Sequence, residues 1–490
     1  MQSAICTEKD LLLDLITIAL GRLAQFFIAF AMLRVVTTLL SPEEMGTVAL
    51  TLTTVAFFAM FLVNPVGMFI NRRLHAWQAN GMARAYLERY VCYLMGVALF
   101  AAVSLPLFNL SGLVNFGMSL SWLVTLVSAT LLFNTINQTS IPSLNMLGDA
   151  RGFTFLSVAT LVVSFVCAVA LVNTMQKSAQ YWVLGLILGQ MLLGVIGSKM
   201  LLAKLKPLND SATISPTISR LHIRVLFHFS WPVALAAGFG WVQLQGYRFI
   251  MESQLGLAQL GLFVAGYSIS SGLISSFESI LTAYLQPRFY RETNKDLPSD
   301  QAKAWRQYAS VVMPSLILTV ILIITLAPEF TRVLLGERFQ EAASFVVWGA
   351  LAEAARVLCG VYSLIAHVYM RTRWLIVPNA VGAALSLVLC VLLLPELGAQ
   401  GAGIALSLAG FVVVAMLHIR MTPRAGGSLH IHVIVWTVLA SASLCLAALA
   451  IRALFNTVGS EEVICVIGAT GLLYLGLMYS LLKRNMLEIK

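Results

Sequence analysis

The sequence predicts an all-α, polytopic integral membrane protein, and its composition leads to that class. Of the 490 residues, 59% are hydrophobic and only 11% are charged, and the mean hydropathy is +0.88. A soluble protein carries about 25% charged residues, and a single soluble core stops growing at about 250–300 residues. The composition therefore excludes an ordinary soluble enzyme and indicates that lipid is the solvent.

Uninterrupted apolar stretches between charged clusters predict about fourteen transmembrane helices. A helix needs about 20 apolar residues to cross a hydrocarbon core of about 30 Å, and the alternating pattern of an outer-membrane barrel is absent. The stretches are 15–39, 48–70, 91–110, 118–140, 153–173, 181–203, 226–250, 257–283, 308–327, 341–367, 375–394, 403–419, 433–452 and 463–482.

The distribution of basic residues predicts the orientation. With the N-terminus in the cytoplasm, the cytoplasmic segments hold 23 of the 31 Lys and Arg residues and the outer loops hold 4, as the positive-inside rule requires. Both termini are therefore expected in the cytoplasm. The net charge of +10 comes from these segments, which are expected to contact anionic lipids. Nucleic acid is not an expected partner, because the gaps between helices are too short for a soluble basic domain.

No motif of a cofactor-dependent or hydrolytic enzyme is found. The seven cysteines contain no CxxC pair, so they predict neither a disulfide framework nor a metal site. HExxH, GxSxG, Walker and Rossmann patterns are also absent. The sequence therefore predicts neither an enzyme nor a bound cofactor.

Six predicted helices carry polar residues at helical spacing, which places them on one face of each helix. Helices 1, 2 and 4 carry such residues in the first half, and helices 7, 8 and 10 carry them six helices later. This period predicts two six-helix lobes related by a pseudo-twofold axis along the membrane normal. The predicted organisation is a lobe over 1–205, a cytoplasmic linker over 206–225, a second lobe over 226–420 and two additional helices over 421–490.

The polar faces are interpreted as the lining of a cavity between the lobes. The predicted lining residues are Gln25, Asn64, Asn134, Asn137, Gln138, Gln245, Tyr267, Ser271 and Ser275. The ions within the helices are four arginines, Arg22, Arg34, Arg248 and Arg356, against two acids, Glu278 and Glu353.

This excess of arginine favours an anionic, phosphorylated headgroup as the substrate, because a guanidinium pairs bidentately with phosphate oxygens. Arg22, Arg248 and Arg356 are the predicted ligands. Arg22, Arg34 and Arg248 could instead snorkel to headgroups, and Glu353 could simply neutralise Arg356 three residues away. Glu278 and Glu353 are predicted gate or coupling residues. For Glu278, a salt bridge with the opposite lobe and a protonatable site remain alternatives.

Several stretches carry a family resemblance. They are Leu39–Gly46 (LLSPEEMG), Leu255–Gly261 (LGLAQLG), Leu335–Phe339 (LGERF) and Leu394–Gly403 (LPELGAQGAG). Together they resemble the polysaccharide-transporter branch of the multidrug/oligosaccharidyl-lipid/polysaccharide exporter superfamily, the O-antigen and exopolysaccharide repeat-unit flippases.

The resemblance implies both a substrate and a mechanism. Such proteins move a polyprenyl-diphosphate-linked oligosaccharide, a lipopolysaccharide or exopolysaccharide precursor, to the outer leaflet of the bacterial inner membrane. They do so by alternating access, rocking two lobes, with the prenyl tail in lipid between helices 1 and 8. A polysaccharide polymerase and export machinery are the implied protein partners.

The drive is expected from ions or from the membrane potential. An anion that moves outward gains about 2.3 kcal/mol per charge per 100 mV of inside-negative potential. We hypothesise that this potential contributes, with Glu278 coupling to protons or sodium.

Three other functions compete with this interpretation. They are a multidrug cation antiporter of the same superfamily, a cell-wall lipid-linked precursor flippase, and a membrane polymerase or ligase. The last would need a large outer loop with catalytic Arg or His, whereas the outer loops here are short.

Overall fold

Among the residues that the structure describes, fourteen long helices coincide with the fourteen apolar stretches of the sequence. The computed structural model describes residues 8–110, 112, 114–205, 220–293, 298–369, 371–423, 431–455 and 460–487. In these ranges all regular secondary structure is helical. The long helices are α1 Glu8–Leu39, α2 Pro42–Ala79, α3 Ala83–Asn109, α4 Leu120–Met146, α5 Ala150–Thr174, α6 Ala179–Lys204, α7 Arg220–Gln245, α8 Tyr247–Thr293, α9 Pro298–Thr325, α10 Ala343–Val368, α11 Ile376–Leu397, α12 Ala399–Met421, α13 Ile431–Phe455 and α14 Ser460–Leu487.

These helices are long and apolar enough to cross a membrane. Thirteen candidate spans are found among the described residues, and the longest, 224–293, contains both α7 and α8. Three shorter helices lie between the long ones, at Ala327–Leu334, Glu337–Ala342 and Thr372–Leu375. The predicted polytopic, all-α membrane protein with about fourteen spans is confirmed.

Acidic side chains stabilise two of the helix N-termini. Glu44, in the first turn of α2, accepts a hydrogen bond from the backbone N–H of Ala179 at the start of α6, at 2.5 Å. Asp149 is the N-cap of α5 and accepts from the N–H of Gly152 at 2.8 Å. Both contacts satisfy a backbone donor that has no partner within its own helix and place negative charge at the positive end of the helix dipole.

Helix α2 is interrupted by a π-helical turn at Ala59–Val63, directly before Asn64 and Pro65. Proline has no N–H, so it removes a hydrogen bond from the preceding turn. The hydroxyl of Tyr93 on α3 donates to the carbonyl oxygen of Leu62 at 2.7 Å. That contact supplies a hydrogen-bond donor to a carbonyl of the widened turn. The turn lies inside a span, where no water is present to donate instead.

Two glycines separate the end of α7 from the main part of α8. Helix α7 ends at Gln245, before Gly246, and Gly256 within α8 has φ +81° and ψ 172°. Glycine adopts this conformation at low cost because it has no Cβ. Helix α8 therefore consists of a short segment, 247–255, and a long helix that runs to Thr293. The sequence had placed Arg248 on α7, one turn after Gln245, and this was wrong because the helix ends first.

The chain divides into two compact units. Unit 1 comprises the described residues of Met1–Met32 and Glu43–Trp241, and unit 2 comprises those of Leu33–Pro42 and Val242–Lys490. Of the predicted linker 206–225, residues 206–219 lie outside the described residues, and Arg220 begins α7. Most of α7 therefore clusters with the N-terminal unit, whereas the sequence had assigned it to the second lobe.

Close packing of α4, α5 and α6 builds the interior of unit 1. Gly185 and Gly189 on α6 approach the backbone of Ala168 and Ser164 on α5, where an added Cβ would overlap main-chain atoms. Small residues spaced four apart are the usual means of close helix contact in lipid.

The last two helices pack within unit 2 against α9. Leu318 of α9, Leu444 of α13 and Met478 of α14 belong to one buried cluster. The hydroxyls of Thr319 and Tyr474 hydrogen-bond across α9 and α14 at 2.9 Å. The pair that the sequence treated as an addition to the lobes is thus part of this unit.

Candidate functional site

A polar network of unit 2 connects α8 with α10. Arg356 donates from Nη2 to Glu278 Oε2 at 2.7 Å and from Nε to Glu353 Oε2 at 2.6 Å. The hydroxyl of Tyr267 donates to the other oxygen of Glu353, Oε1, at 2.8 Å. We call these four side chains the acid cluster. The sequence had proposed all four as site residues and had paired Glu353 with Arg356, and the structure adds Glu278 and Tyr267 to that pair.

The acid cluster carries one more carboxylate than guanidinium. Only 5% of the Glu353 side chain is exposed, against 27% for Glu278 and 29% for Arg356. With both acids ionised the net charge is −1 in a membrane-spanning region, where an uncompensated charge costs at least about 2.5 kcal/mol. Arg356 thus compensates one of the two carboxylates, and Glu278 is the more exposed acid.

These contacts bear on two of the roles considered for Glu278 and Arg356. The sequence offered a Glu278 salt bridge with the opposite lobe, and this was wrong, because its partner Arg356 lies in the same unit. Arg356 uses both Nε and Nη2 on carboxylates in this conformation. Its expected contact with a phosphate would use the other N–H donors of the guanidinium or would require those ion pairs to open.

Arg22 presents its guanidinium at an exposed position within the candidate span Ile16–Leu39. It donates to Gln25 Oε1 at 3.3 Å, and its Cζ lies 5.9 Å from the ring centroid of Phe153. The preceding residue, Gly21, packs against Thr154. Because Phe153 and Thr154 lie near the start of α5, Arg22 lies close to the N-terminal end of that helix. No acidic partner of Arg22 is found among the described residues.

The predicted lining residues of unit 1 divide into exposed and buried groups. Asn64 and Gln138 are exposed, and Asn134 and Gln25 are half-buried. Asn137 is only 3% exposed and donates to Thr160 Oγ1 at 3.1 Å and to the Gln190 carbonyl at 3.3 Å. The expectation that Asn137 lines a cavity was wrong, because this amide satisfies polar groups where α4, α5 and α6 pack.

The other predicted residues of unit 2 differ in their exposure. Ser271 and Gln245 are half-buried and Ser275 is exposed. Arg248 is half-buried and donates from Nε to the Tyr247 hydroxyl at 3.3 Å. Arg34 donates to the carbonyl of Arg332 at 3.1 Å, so it binds a helix C-terminus.

Three pairs of contacting residues were not predicted from the sequence. Arg452 of α13 binds both oxygens of Glu329, at 2.8 and 2.7 Å, across 123 residues. Phe57 and Trp241 bring α2 and α7 together, with ring centroids 5.1 Å apart. Neither pair has a local sequence signal, because each depends on contacts between distant helices.

The third pairing joins Lys204 at the end of α6 to Asp149, with Nζ 2.8 Å from Oδ2. The hydrogen bond from Lys204, with support from the Gly152 N–H, lowers the pKa of Asp149 below its ordinary value of 3.8. Asp149 lies between the spans of α4 and α5, so this ion pair connects the start of α5 to the end of α6.

The model of a family described as polysaccharide biosynthesis protein matches residues 35–344, which is more than half of the chain. The chain belongs to this family. The match includes three of the four stretches that carried the resemblance, at 39–46, 255–261 and 335–339. No curated protein matches the chain significantly.

The fold of this polysaccharide biosynthesis protein is found in solved transporters. It is similar to the lipid II flippase MurJ in an inward closed conformation, with a TM-score of 0.63 and 14% identity over 97% of this chain and 100% of that one. It is also similar to an inward-facing multidrug resistance MATE family transporter of the MOP superfamily. There the TM-score is 0.57 and the identity 15%, over 82% of this chain and 95% of that one. These likenesses show that the chain shares its fold with both transporters.

Proposed function

We propose that this polysaccharide biosynthesis protein is a flippase for polyprenyl-diphosphate-linked oligosaccharide repeat units. It moves them from the cytoplasmic to the outer leaflet of the bacterial inner membrane by alternating access, and both of its termini are cytoplasmic. The observation that carries the proposal is the exposed guanidinium of Arg22, within a span of a chain that belongs to this family.

Arg22 is suited to receive the diphosphate. An arginine within a span is costly unless it reaches a headgroup, water or a ligand, and its planar fork of donors matches two phosphate oxygens. Its contacts within the protein are a 3.3 Å hydrogen bond to a neutral amide and the face of Phe153. These are weak compared with a charge-assisted pair, so a phosphate displaces them at low cost. Arg248 remains a second proposed ligand.

The acid cluster is the proposed coupling site. Its net charge of −1 with both acids ionised favours uptake of a proton or sodium ion, and the two ion pairs of Arg356 tie that event to the packing of α8 against α10. Neutralising Glu278 or Glu353 weakens its attraction to Arg356 and releases guanidinium donors. This connects ion binding to a change of conformation without any bound cofactor.

Two neighbouring functions are favoured by specific observations. The fold shared with a lipid II flippase supports a cell-wall lipid-linked precursor as the alternative substrate. The acid cluster, together with the fold shared with a multidrug transporter, supports cation antiport. Loss of drug resistance upon deletion, with surface polysaccharide intact, would identify the antiporter.

The test is to delete the gene and to complement the strain with variants. Deletion is expected to accumulate lipid-linked repeat units on the cytoplasmic leaflet and to reduce surface polysaccharide. Arg22→Ala is expected to fail to restore export at normal protein level, whereas Arg22→Lys restores part of it because the charge remains.

Arg84→Ala is the matched control, because Arg84 is an exposed arginine of the same unit that pairs with Glu88 on its own helix. It should restore export fully. Normal export by Arg22→Ala would contradict the role of Arg22. A deletion strain without accumulated lipid-linked saccharide would contradict the proposed function itself.

A further inference from the structure

An exposed amide lies within a long membrane-spanning segment of unit 1. Asn64 belongs to the span Pro42–Ala79 and is exposed, and its amide nitrogen contacts the sulfur of Met60 at 3.2 Å. Lipid does not satisfy the amide of an asparagine, so polar side chains at this depth face protein or a water-filled cavity. The surface around Asn64 is therefore expected to be wet.

A cluster of aromatic rings includes two residues of the same helix. Phe57 is 38% exposed, and its ring centroid is 4.8 Å from that of Phe61 and 5.1 Å from that of Trp241. Asn64 lies seven positions after Phe57, directly beyond the π-helical turn Ala59–Val63. The partly open ring of Phe57 and the amide of Asn64 thus flank this turn on one helix.

The rings are held in place by α7. Phe61 packs directly against Gly238, where any Cβ would overlap the ring. The plane of Trp241 is inclined at 65° to that of Phe57, an edge-to-face contact. Rings fixed in this way keep few rotamers. Stacking of a ligand on Phe57 therefore costs the protein little conformational entropy.

A rigid aromatic face and an amide on the same helix match the chemistry of a sugar ring. One face of a pyranose presents C–H bonds with partial positive charge, which the negative face of an aromatic ring attracts. The hydroxyl groups around its edge are donors and acceptors, and an asparagine amide supplies both. Phosphate, by contrast, gains nothing from a phenyl ring.

We propose that Phe57, supported by Phe61 and Trp241, is a stacking platform for a sugar ring of the transported lipid, and that Asn64 hydrogen-bonds the sugar hydroxyls. This inference rests on the proposed function and adds to it a recognition element for the saccharide, separate from the arginine that would receive the diphosphate. It predicts that affinity depends on the presence of a sugar and not only on charge.

The experiment compares two lipids on the purified full-length protein in nanodiscs. One is polyprenyl diphosphate, and the other is polyprenyl diphosphate that carries a single N-acetylglucosamine. Wild type is expected to bind the sugar-bearing lipid about threefold to tenfold more tightly, a ratio that corresponds to an aromatic contact of about 0.5–1.5 kcal/mol. Phe57→Leu, which keeps an apolar side chain but removes the aromatic face, is expected to abolish the preference and to leave binding of the bare lipid unchanged.

Phe155→Ala is the matched control, because Phe155 is an exposed ring of the same unit on α5, and it should keep the wild-type preference. Equal affinity of wild type for both lipids, or an unchanged preference in Phe57→Leu, would overturn the platform and leave the flippase proposal standing. Failure of wild type to bind either lipid would overturn the proposed function, and the platform with it.

Discussion

Arg356 on α10 binds Glu278 on α8 at 2.7 Å, across 78 residues of sequence, while it also binds Glu353 on its own helix at 2.6 Å. One guanidinium thus holds two carboxylates, and its removal leaves like charges facing each other. Removing Arg356 is expected to lower the free energy of unfolding more than neutralising a single acid does. Variants of the acid cluster can therefore distinguish the two changes.

Arg356→Ala is expected to lower the free energy of unfolding by about 3 kcal/mol. Removing one partner of a buried ion pair costs about 3–5 kcal/mol, and partial exposure of this arginine places the effect at the lower end. Thermal unfolding in detergent measures it. Arg288→Ala, on an exposed pair with Glu292 of the same helix, is the control and should cost at most about 1 kcal/mol. Equal loss in both variants would contradict the pairing.

Glu278→Gln is expected to alter coupling more than stability. The amide keeps a hydrogen-bond acceptor for Arg356 but removes the charge, so the fold should lose only about 1 kcal/mol. Translocation of a fluorescent polyprenyl-diphosphate saccharide in proteoliposomes should lose its dependence on an imposed proton or sodium gradient. Retention of the full dependence would exclude Glu278 as the coupling acid.

Arg452→Ala is expected to destabilise the packing of α13 in unit 2. Only 4% of the Glu329 side chain is exposed, and Arg452 binds both of its oxygens as well as the carbonyl of Thr325, at 2.6 Å. The loss should be about 3 kcal/mol. Arg452→Lys keeps the charge without the planar fork and should lose less. Proteolysis that releases α13 and α14 at lower temperature is the measurement, and identical behaviour of the Ala and Lys variants would contradict a bidentate clamp.

Gly336→Ala is expected to destabilise unit 2 by about 1–3 kcal/mol through overpacking. A Cβ at Gly336 would overlap the backbone carbonyl of Thr37, whose hydroxyl accepts from the Gly336 N–H at 2.9 Å. Gly360, within α10, has no atom near its Cβ position, so Gly360→Ala is the control and should be neutral or stabilising by up to about 1 kcal/mol. The two melting temperatures should therefore shift in opposite directions or by clearly different amounts.

Acid should weaken the contact between Asp149 and Lys204. The pKa of this carboxyl is lower in the folded protein than in the unfolded chain, so the ionised form stabilises the fold at pH values above about 4. The stabilisation is lost as the pH falls through the folded pKa, below the ordinary value of 3.8. Between pH 5 and pH 3, wild type should lose more thermal stability than Asp149→Asn. Parallel pH profiles would contradict the assignment.

The sequence by itself determined the class of this protein and its helices. Apolar stretches of about 20 residues specify spans, because each backbone polar group in lipid must be satisfied within its own helix. That is a local requirement, so it can be read without a structure, and the ends of α5 or α12 fell within a few residues of the prediction. The break after Gln245 was missed, because glycines such as Gly246 and Gly256 occur both at bends and within continuous helices.

Only the tertiary structure decided which polar residues act together. Helical spacing placed Asn137 on the same face as Asn134, but the approach of α5 and α6 buries it against Thr160. Arg356 and Glu278 had plausible separate roles until the packing of α8 on α10 brought them to hydrogen-bonding distance. The energies of buried charges depend on neighbours that lie tens or hundreds of residues away in sequence. The spacing of residues along one helix does not show which residues of other helices come close in space.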